Sequence, residues 1–166
     1  MALALPLTAA EPLALWAFGD DTRVVGSIIH SGETVAAGLV PARLELLGLP
    51  GSDLILRPGS ELRLNHDPAK PGRLVIELQA GRMAVDLRGS GPTKEIVVLG
   101  TSLSVRGHDC LFLIERGASD TDYVAVISGQ VLAGLRPDRP SHDGGMAILL
   151  QARQGLRCSA SNGLAE

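Results

Sequence analysis

Aromatic side chains are nearly missing from this sequence: Trp16, Phe18, Phe112 and Tyr123 are all there are. With so few rings, the stacking platforms that grip single-stranded nucleic acid or sugars are hard to assemble, and the core has to be built from Leu, Val, Ile and Ala. A dominant charge is missing too. The 15 Lys and Arg stand against 18 Asp and Glu, a net of -3, so nothing drives counterion release from nucleic acid or docking on anionic lipid. All basic residues except Lys70 and Lys94 are Arg, and they are scattered along the chain instead of clustered, which reads as composition and not as a binding patch. Cysteine is scarce: Cys110 and Cys158 lie far apart and form no Cys-x-x-Cys, which excludes a zinc ribbon and a thioredoxin-type site. Whether the two pair stays open; a bridge between them would stabilise the fold by about 4 kcal/mol in the chain-entropy model. No stretch approaches the ~18 uninterrupted apolar residues of a spanning helix, so no transmembrane segment is expected in this chain.

What is present is a rhythm of short extended segments. Period-two or continuous β-rich runs occupy Arg23 to Ile29, Ala42 to Leu47, Asp53 to Arg57, Glu61 to Asn65, Arg73 to Gln79 and Arg82 to Leu87. They continue at Glu95 to Leu99, Ser102 to Arg106, Cys110 to Glu115, Asp122 to Ser128, Gln130 to Ala133 and Met146 to Gln151. Between them lie Ser31-Gly32, Pro50-Gly51, Pro58-Gly59, Pro71-Gly72, Gly89-Ser90-Gly91-Pro92, Gly107, Ser128-Gly129 and Gly144-Gly145, all turn chemistry. A helix is plausible only near Pro12 to Ala17, because no other segment keeps a helical apolar period between breakers. The expected class is all-β, either a β-solenoid-like coil or a two-sheet β-sandwich of many short strands. A chain of 166 residues suffices for one domain burying roughly 70% of its unfolded surface without a staple.

One stretch repeats itself. Pro50-Gly51-Ser52-Asp53-Leu54-Ile55-Leu56-Arg57 is followed directly by Pro58-Gly59-Ser60-Glu61-Leu62-Arg63-Leu64-Asn65. In each copy Pro presets φ for the first corner of a turn and Gly accepts the positive φ a type II turn then requires, while the two Leu point to one face. Type II turns suit a bend between layers better than a tight hairpin, so both copies are expected to be corners aiming Leu54 and Leu56, then Leu62 and Leu64, at a shared interior. A longer hairpin loop with a bulge is the rival.

The segments "SGETVAAG" (Ser31 to Gly38), "LELLGLPGSDLILRPGSELRLN" (Leu44 to Asn65), "LVIELQAGRMAVDLR" (Leu74 to Arg88), "IVVLGTSLSVRG" (Ile96 to Gly107) and "YVAVISGQVLAG" (Tyr123 to Gly134) resemble, in order and spacing, the FecR domain. "MAILLQARQG" (Met146 to Gly155) resembles its closing segment. Leu103 stands where that family usually has Phe after Gly-Thr, which keeps an apolar position and loses ring volume. Full-length iron-uptake regulators of the family also carry an anti-sigma segment and a membrane helix ahead of the domain, and this chain shows neither. The resemblance implies a domain of the bacterial periplasm, or another extracytoplasmic location, that binds other proteins. On it the chain divides into residues 1–20, an N-terminal lead, 21–160, a FecR-like β domain, and 161–166, a tail. "MALALPLTAAEPLA" has the apolar run and small residues of a trimmed export signal but not its basic start; an apolar first strand or a disordered lead fits it equally.

Reactive groups are present but poorly arranged. His66-Asp67, His108-Asp109 and His142-Asp143 would need three loops to converge before they could hold a metal ion, and no fixed ligand spacing or His-x-His pair supports that. Ser102 lacks the glycine-flanked setting of a nucleophile elbow. "GSGPTK" (Gly89 to Lys94) has the wrong spacing for a phosphate loop, and Pro92 removes a donor. Asp20-Asp21, and Asp120 with Asp122, border turns and are expected to be solvated loop tips. No catalytic, cofactor-binding or metal-binding residue is nominated, and no cofactor is expected. The leading expectation is a non-enzymatic cell-envelope module for protein–protein interaction, scaffolding or signalling. Its partner would be an envelope protein, or a second copy through edge strands. The alternatives are a glycan-binding β domain using Trp16 or Tyr123, and a metal-dependent enzyme using the His-Asp loops.

Overall fold

Pro-Gly-Ser does the same local work in both copies of the repeat. The Ser52 N–H donates to the Leu49 carbonyl at 3.0 Å and the Ser60 N–H to the Arg57 carbonyl at 3.0 Å. Gly51 and Gly59 take φ of 74° and 71°, a region open to glycine and strained for other residues, so both are type II turns. Their tertiary uses differ. The first lies in the loop of an antiparallel hairpin, where Ala42 faces Leu56 and Glu45 faces Asp53. The second carries the chain from one sheet to another. The expectation of two corners is therefore corrected at Pro50-Gly51: the residues from Leu47 to Ser52 make the loop long enough to absorb the twist a two-residue type II connection would mismatch. The four leucines behave as expected, with Leu54, Leu56, Leu62 and Leu64 all fully buried.

The computed structural model describes residues 10–20, 23–67, 69–70, 72–89, 95–118, 120–136, 147–159 and 163–165. Every regular element in them is a strand: β1 (Pro12–Phe18), β2 (Ile28–His30), β3 (Thr34–Ala36), β4 (Ala42–Leu46), β5 (Asp53–Leu56), β6 (Glu61–His66), β7 (Leu74–Asp86), β8 (Ile96–Leu99), β9 (Leu103–Gly107), β10 (Leu111–Arg116), β11 (Thr121–Ser128), β12 (Gln130–Leu135), β13 (Ala147–Gln151), β14 (Gly155–Ser159) and β15 (Gly163–Ala165). Among the described residues no helix is long and apolar enough to cross a membrane.

Pairing arranges the strands in two sheets that share β7. The first runs β2-β1-β4-β5-β7-β10-β11-β14-β15. The second runs β3-β6-β7-β8-β9-β12-β13. Of these pairings β7 with β8 is parallel and the others are antiparallel, so of the two architectures expected, the chain takes the two-sheet one and not the stacked coil of a solenoid. The expected strands Arg73 to Gln79 and Arg82 to Leu87 are one continuous β7, whose first half serves the second sheet and whose second half serves the first. At the changeover Gly81 takes φ 79°. A Cβ there would sit 2.4 Å from the Ser60 hydroxyl oxygen, and that hydroxyl donates to the Arg82 carbonyl at 2.8 Å and accepts the Arg82 N–H at 2.9 Å. The repeat's second serine thus fastens one sheet crossing to the other.

Alternation along the strands sets the interior. In β4 the burial runs buried, exposed, buried, exposed, buried, and Trp16, Phe112, Leu44, Leu54, Leu62, Ile76 and Met83 belong to one apolar cluster drawn from both sheets. Pro12 to Ala17, where a helix was plausible, forms β1 instead: Leu13, Ala14 and Trp16 are buried between its neighbours β2 and β4. The packed fold thus includes Pro12–Phe18, upstream of the boundary expected after residue 20, and β15 falls within the expected tail. In the other direction, the run from Arg23 to Ile29 is mostly loop, with Val24 and Val25 in solvent. The short strands β3, β14 and β15 were not foreseen, since three to five residues show too little alternation to separate them from loop.

Candidate interaction surface

Three of the chemically suggestive side chains, Asp67, Asp109 and Asp122, hold the fold together. Asp67 closes the turn into β7: Oδ1 accepts the Ala69 N–H at 2.9 Å and Oδ2 accepts from Arg73 at 3.1 Å. These bonds, the Ala69 amide first and then the Arg73 guanidinium, hold its carboxyl below the ordinary Asp value. Asp109 takes φ 47° at the crossing from β9 to β10, where Oδ1 accepts the Gly89 N–H at 3.0 Å. His66 pairs with Leu74, Leu74 with Ile96, and Ile96 with Gly107, so His66 and His108 lie about three ladder steps apart, roughly 14 Å. Among the described residues no three His, Cys, Asp or Glu side chains are grouped as metal ligands. His142-Asp143 lies outside the described residues, as do Asp21, Gly144-Gly145 and most of "GSGPTK".

The Gly100-Thr101-Ser102 segment is built around a buried carboxylate. Asp122 is fully buried, which corrects the expectation of a solvated tip; Asp120 remains exposed. Asp122 Oδ2 accepts the N–H groups of Ser102 at 2.6 Å and Leu103 at 2.9 Å, and Oδ1 has no hydrogen bond among the described residues. A Cβ on Gly100 would lie 2.5 Å from that carboxylate, so the glycine is required for space. The Ser102 hydroxyl donates to the Asp120 carbonyl at 3.3 Å, a structural bond. Leu103 is fully buried, as its apolar character implied.

Cys110 and Cys158 are both free and buried. Cys110 precedes β10, whereas Cys158 faces Asp122, which faces Arg116 at the far end of β10. Six residues of strand separate these levels, roughly 20 Å, far beyond disulfide reach. Burial pushes the Cys110 thiol up to about 12 and the Cys158 thiol up to about 11, with a nearby aspartate adding to each, so neither is a nucleophile at neutral pH. Trp16 is fully buried, its ring covering Gly19, and cannot serve as a sugar platform.

Tyr123 is different: it is 44% exposed on the outer face of the first sheet. Three register rows cross that face. The middle one runs Arg43, Ile55, Ala84, Leu113, Ala125, Gly155, nearly all apolar, with Phe18 beyond Arg43. Beside it runs Arg82, Glu115, Tyr123, Arg157, in which Arg82 and Glu115 form an ion pair. On its other side Glu45, Asp53, Asp86 and Leu111 form the third row, with Ile127, 50% exposed, at its β11 end. An open depression of about 660 Å³ lies beside Tyr123, floored by Gly155 and lined by Glu115, Thr121 and Arg157. Among the described residues Arg157 has no acidic partner. The face therefore offers an apolar strip with a tyrosine and an available guanidinium at its rim. Of this face the sequence pointed to Tyr123, as a candidate sugar contact, but not to Ile55, Leu113, Ile127 or Arg157, although continuous runs such as Leu54-Ile55-Leu56 and Leu111-Phe112-Leu113-Ile114 carry the signal. A half-solvated strand should alternate with polar residues, and these do not.

No family model matches this chain, and no curated protein does either. Among solved structures it is similar to two crystal structures of a "putative anti-sigma factor" from Parabacteroides distasonis, each at TM-score 0.59 and 15% identity over 80% of this chain. The chain spans 58% of the length of those structures. At that identity the likeness is one of fold.

Proposed function

We propose that this chain is a non-enzymatic, FecR-like protein-interaction module of the bacterial cell envelope, acting in signalling or envelope assembly through the outer face of its first sheet. The observation that carries this reading is the division of labour among side chains. Asp67, Asp109 and Asp122 are tied into turns and crossings, while apolar Ile55, Tyr123 and Ile127 are left in solvent on one continuous face. The resemblance of the sequence to the FecR domain and the likeness of fold to an anti-sigma-factor candidate support a regulatory partner over a substrate. That partner is a folded protein with an apolar patch and an acidic group to meet Arg157.

The test uses a photo-crosslinking amino acid at Tyr123, with Arg63 on the other sheet as the control position, in cells of the source bacterium. A single discrete adduct from position 123 that fractionates with the envelope is expected, together with its loss in Leu113→Asp. Leu113 faces outward from β10 but is half-buried, so Ile127→Asp, at a position 50% exposed, is the second variant: it should keep a thermal midpoint close to that of the parent and lose the adduct as well. Absence of any discrete adduct, or equal adducts from both positions, refutes the reading.

A further inference from the structure

Among the described residues four strands end the two sheets, and three of them are protected. β2 has three residues, and its His30 N–H is taken at 3.0 Å by Glu33, which is itself paired with Arg23. β3 has three residues, and Arg23 reaches its Thr34 carbonyl at 3.3 Å. β15 has three residues as well. Short length and charged side chains across the exposed backbone are the usual protections of an edge. β13 has neither: it is five residues, Ala-Ile-Leu-Leu-Gln, with no charge and no proline. Among its described backbone groups, those a side chain or turn takes up belong to Gln151, bonded to Gln154.

The strand is also self-complementary. On the outer face Leu132 faces Leu149 across the β12–β13 ladder, and the two are 40% and 53% exposed. A two-fold axis through Leu149, with the strands antiparallel, sets Leu149 against the partner's Leu149 and extends the row to Leu132, Leu149, the partner's Leu149 and the partner's Leu132. On the inner face it sets Ile148, already packed against the core, against the partner's Leu150. Ala147 then lies opposite the partner's Gln151, whose backbone groups stay with Gln154, so the backbone pairing centres on Leu149. No like charges oppose each other anywhere along the ladder, because the strand carries none. Each copy offers the other the apolar partner that its own outward leucine lacks.

We infer that two copies of this chain associate through β13, antiparallel about Leu149, joining their second sheets into one continuous sheet across a two-fold axis. This goes beyond the partner-binding reading above, uses the other sheet, and stands or falls without it.

Sedimentation of the purified full chain over a concentration series should show a reversible monomer–dimer equilibrium. Leu149→Lys should weaken it at least tenfold by placing two like charges on the axis, and Ile55→Lys, on the first sheet, should leave it unchanged. Leu149→Cys should form a crosslinked dimer under mild oxidation, with Cys110 and Cys158 contributing nothing because both are buried. If Leu149→Lys loses its circular dichroism, the crosslinking variant decides. A chain that stays monomeric at millimolar concentration overturns the inference, as does a dimer indifferent to Leu149→Lys or a Leu149→Cys variant that does not crosslink.

Discussion

A single carboxylate shows how individual residues are committed here. Asp122 sits buried against Gly100 and ties down two backbone N–H groups. Removing it in Asp122→Ala orphans two buried donors and should cost roughly 3 kcal/mol. Gly100→Ala, which drives a methyl into the carboxylate, should cost about 2 kcal/mol. Denaturant titration of both and of the double variant checks the coupling: with the carboxylate gone the methyl has room, so the double variant should lose less than the sum of the two single losses. Asp67 makes a pH prediction. Its folded pKa is lowered from 3.8 by the Ala69 amide and Arg73, so its contribution is present above that value and lost as pH falls through the folded pKa. Thermal midpoints of Asp67→Asn should therefore fall less steeply than those of the parent as pH drops below 3.8. That Asp67 serves a turn was legible from its loop setting. That Asp122 is interior was not, because an acid beside a turn gives no hint of the two N–H groups a distant segment aims at it.

At the scale of elements the decisive feature is β7, a strand of 13 residues that belongs to both sheets. Its bend at Gly81 fits against Ser60 with no room for a side chain. Gly81→Ala brings positive-φ strain of about 1–2 kcal/mol and overlap of about 1–3 kcal/mol, and should be among the more damaging changes outside the core. Ser60→Ala, which loses the bonds to Arg82 N–H and carbonyl, should cost about 1–2 kcal/mol; chemical unfolding of each variant measures both. Hydrophobic period marked the two halves of β7 correctly and divided them at Ala80-Gly81, because glycine between two apolar runs reads as a break. It is a bend within one strand because Arg57 and Ser60 bond Arg82 on one side of it and Arg116 bonds the Gln79 carbonyl on the other. β1 went the other way. An apolar run with a helical option becomes a strand once β2 and β4 stand beside it.

For the whole molecule, sharing β7 makes the two sheets one cooperative unit, since neither can open without releasing half of a strand the other needs. Cys110 and Cys158, buried before β10 and in β14 at opposite levels along the strands, report on this. Both should stay unlabelled by thiol reagents in the native state and become reactive at one denaturant midpoint, the midpoint of the circular dichroism transition; labelling of one well before the other would show separable sheets. Sequence by itself determined the class, because alternation and glycine punctuation are local consequences of strand geometry. It also determined both Pro-Gly-Ser turns and the inward side of the four leucines, which backbone stereochemistry dictates within a few residues. Only the tertiary structure decided which of two identical turns closes a hairpin and which crosses between sheets, since that depends on whether a neighbour such as β4 or Gly81 stands ready to receive the next strand. Which outward-facing apolar residues join into a single surface was decided the same way, because register brings together side chains that lie far apart along the chain.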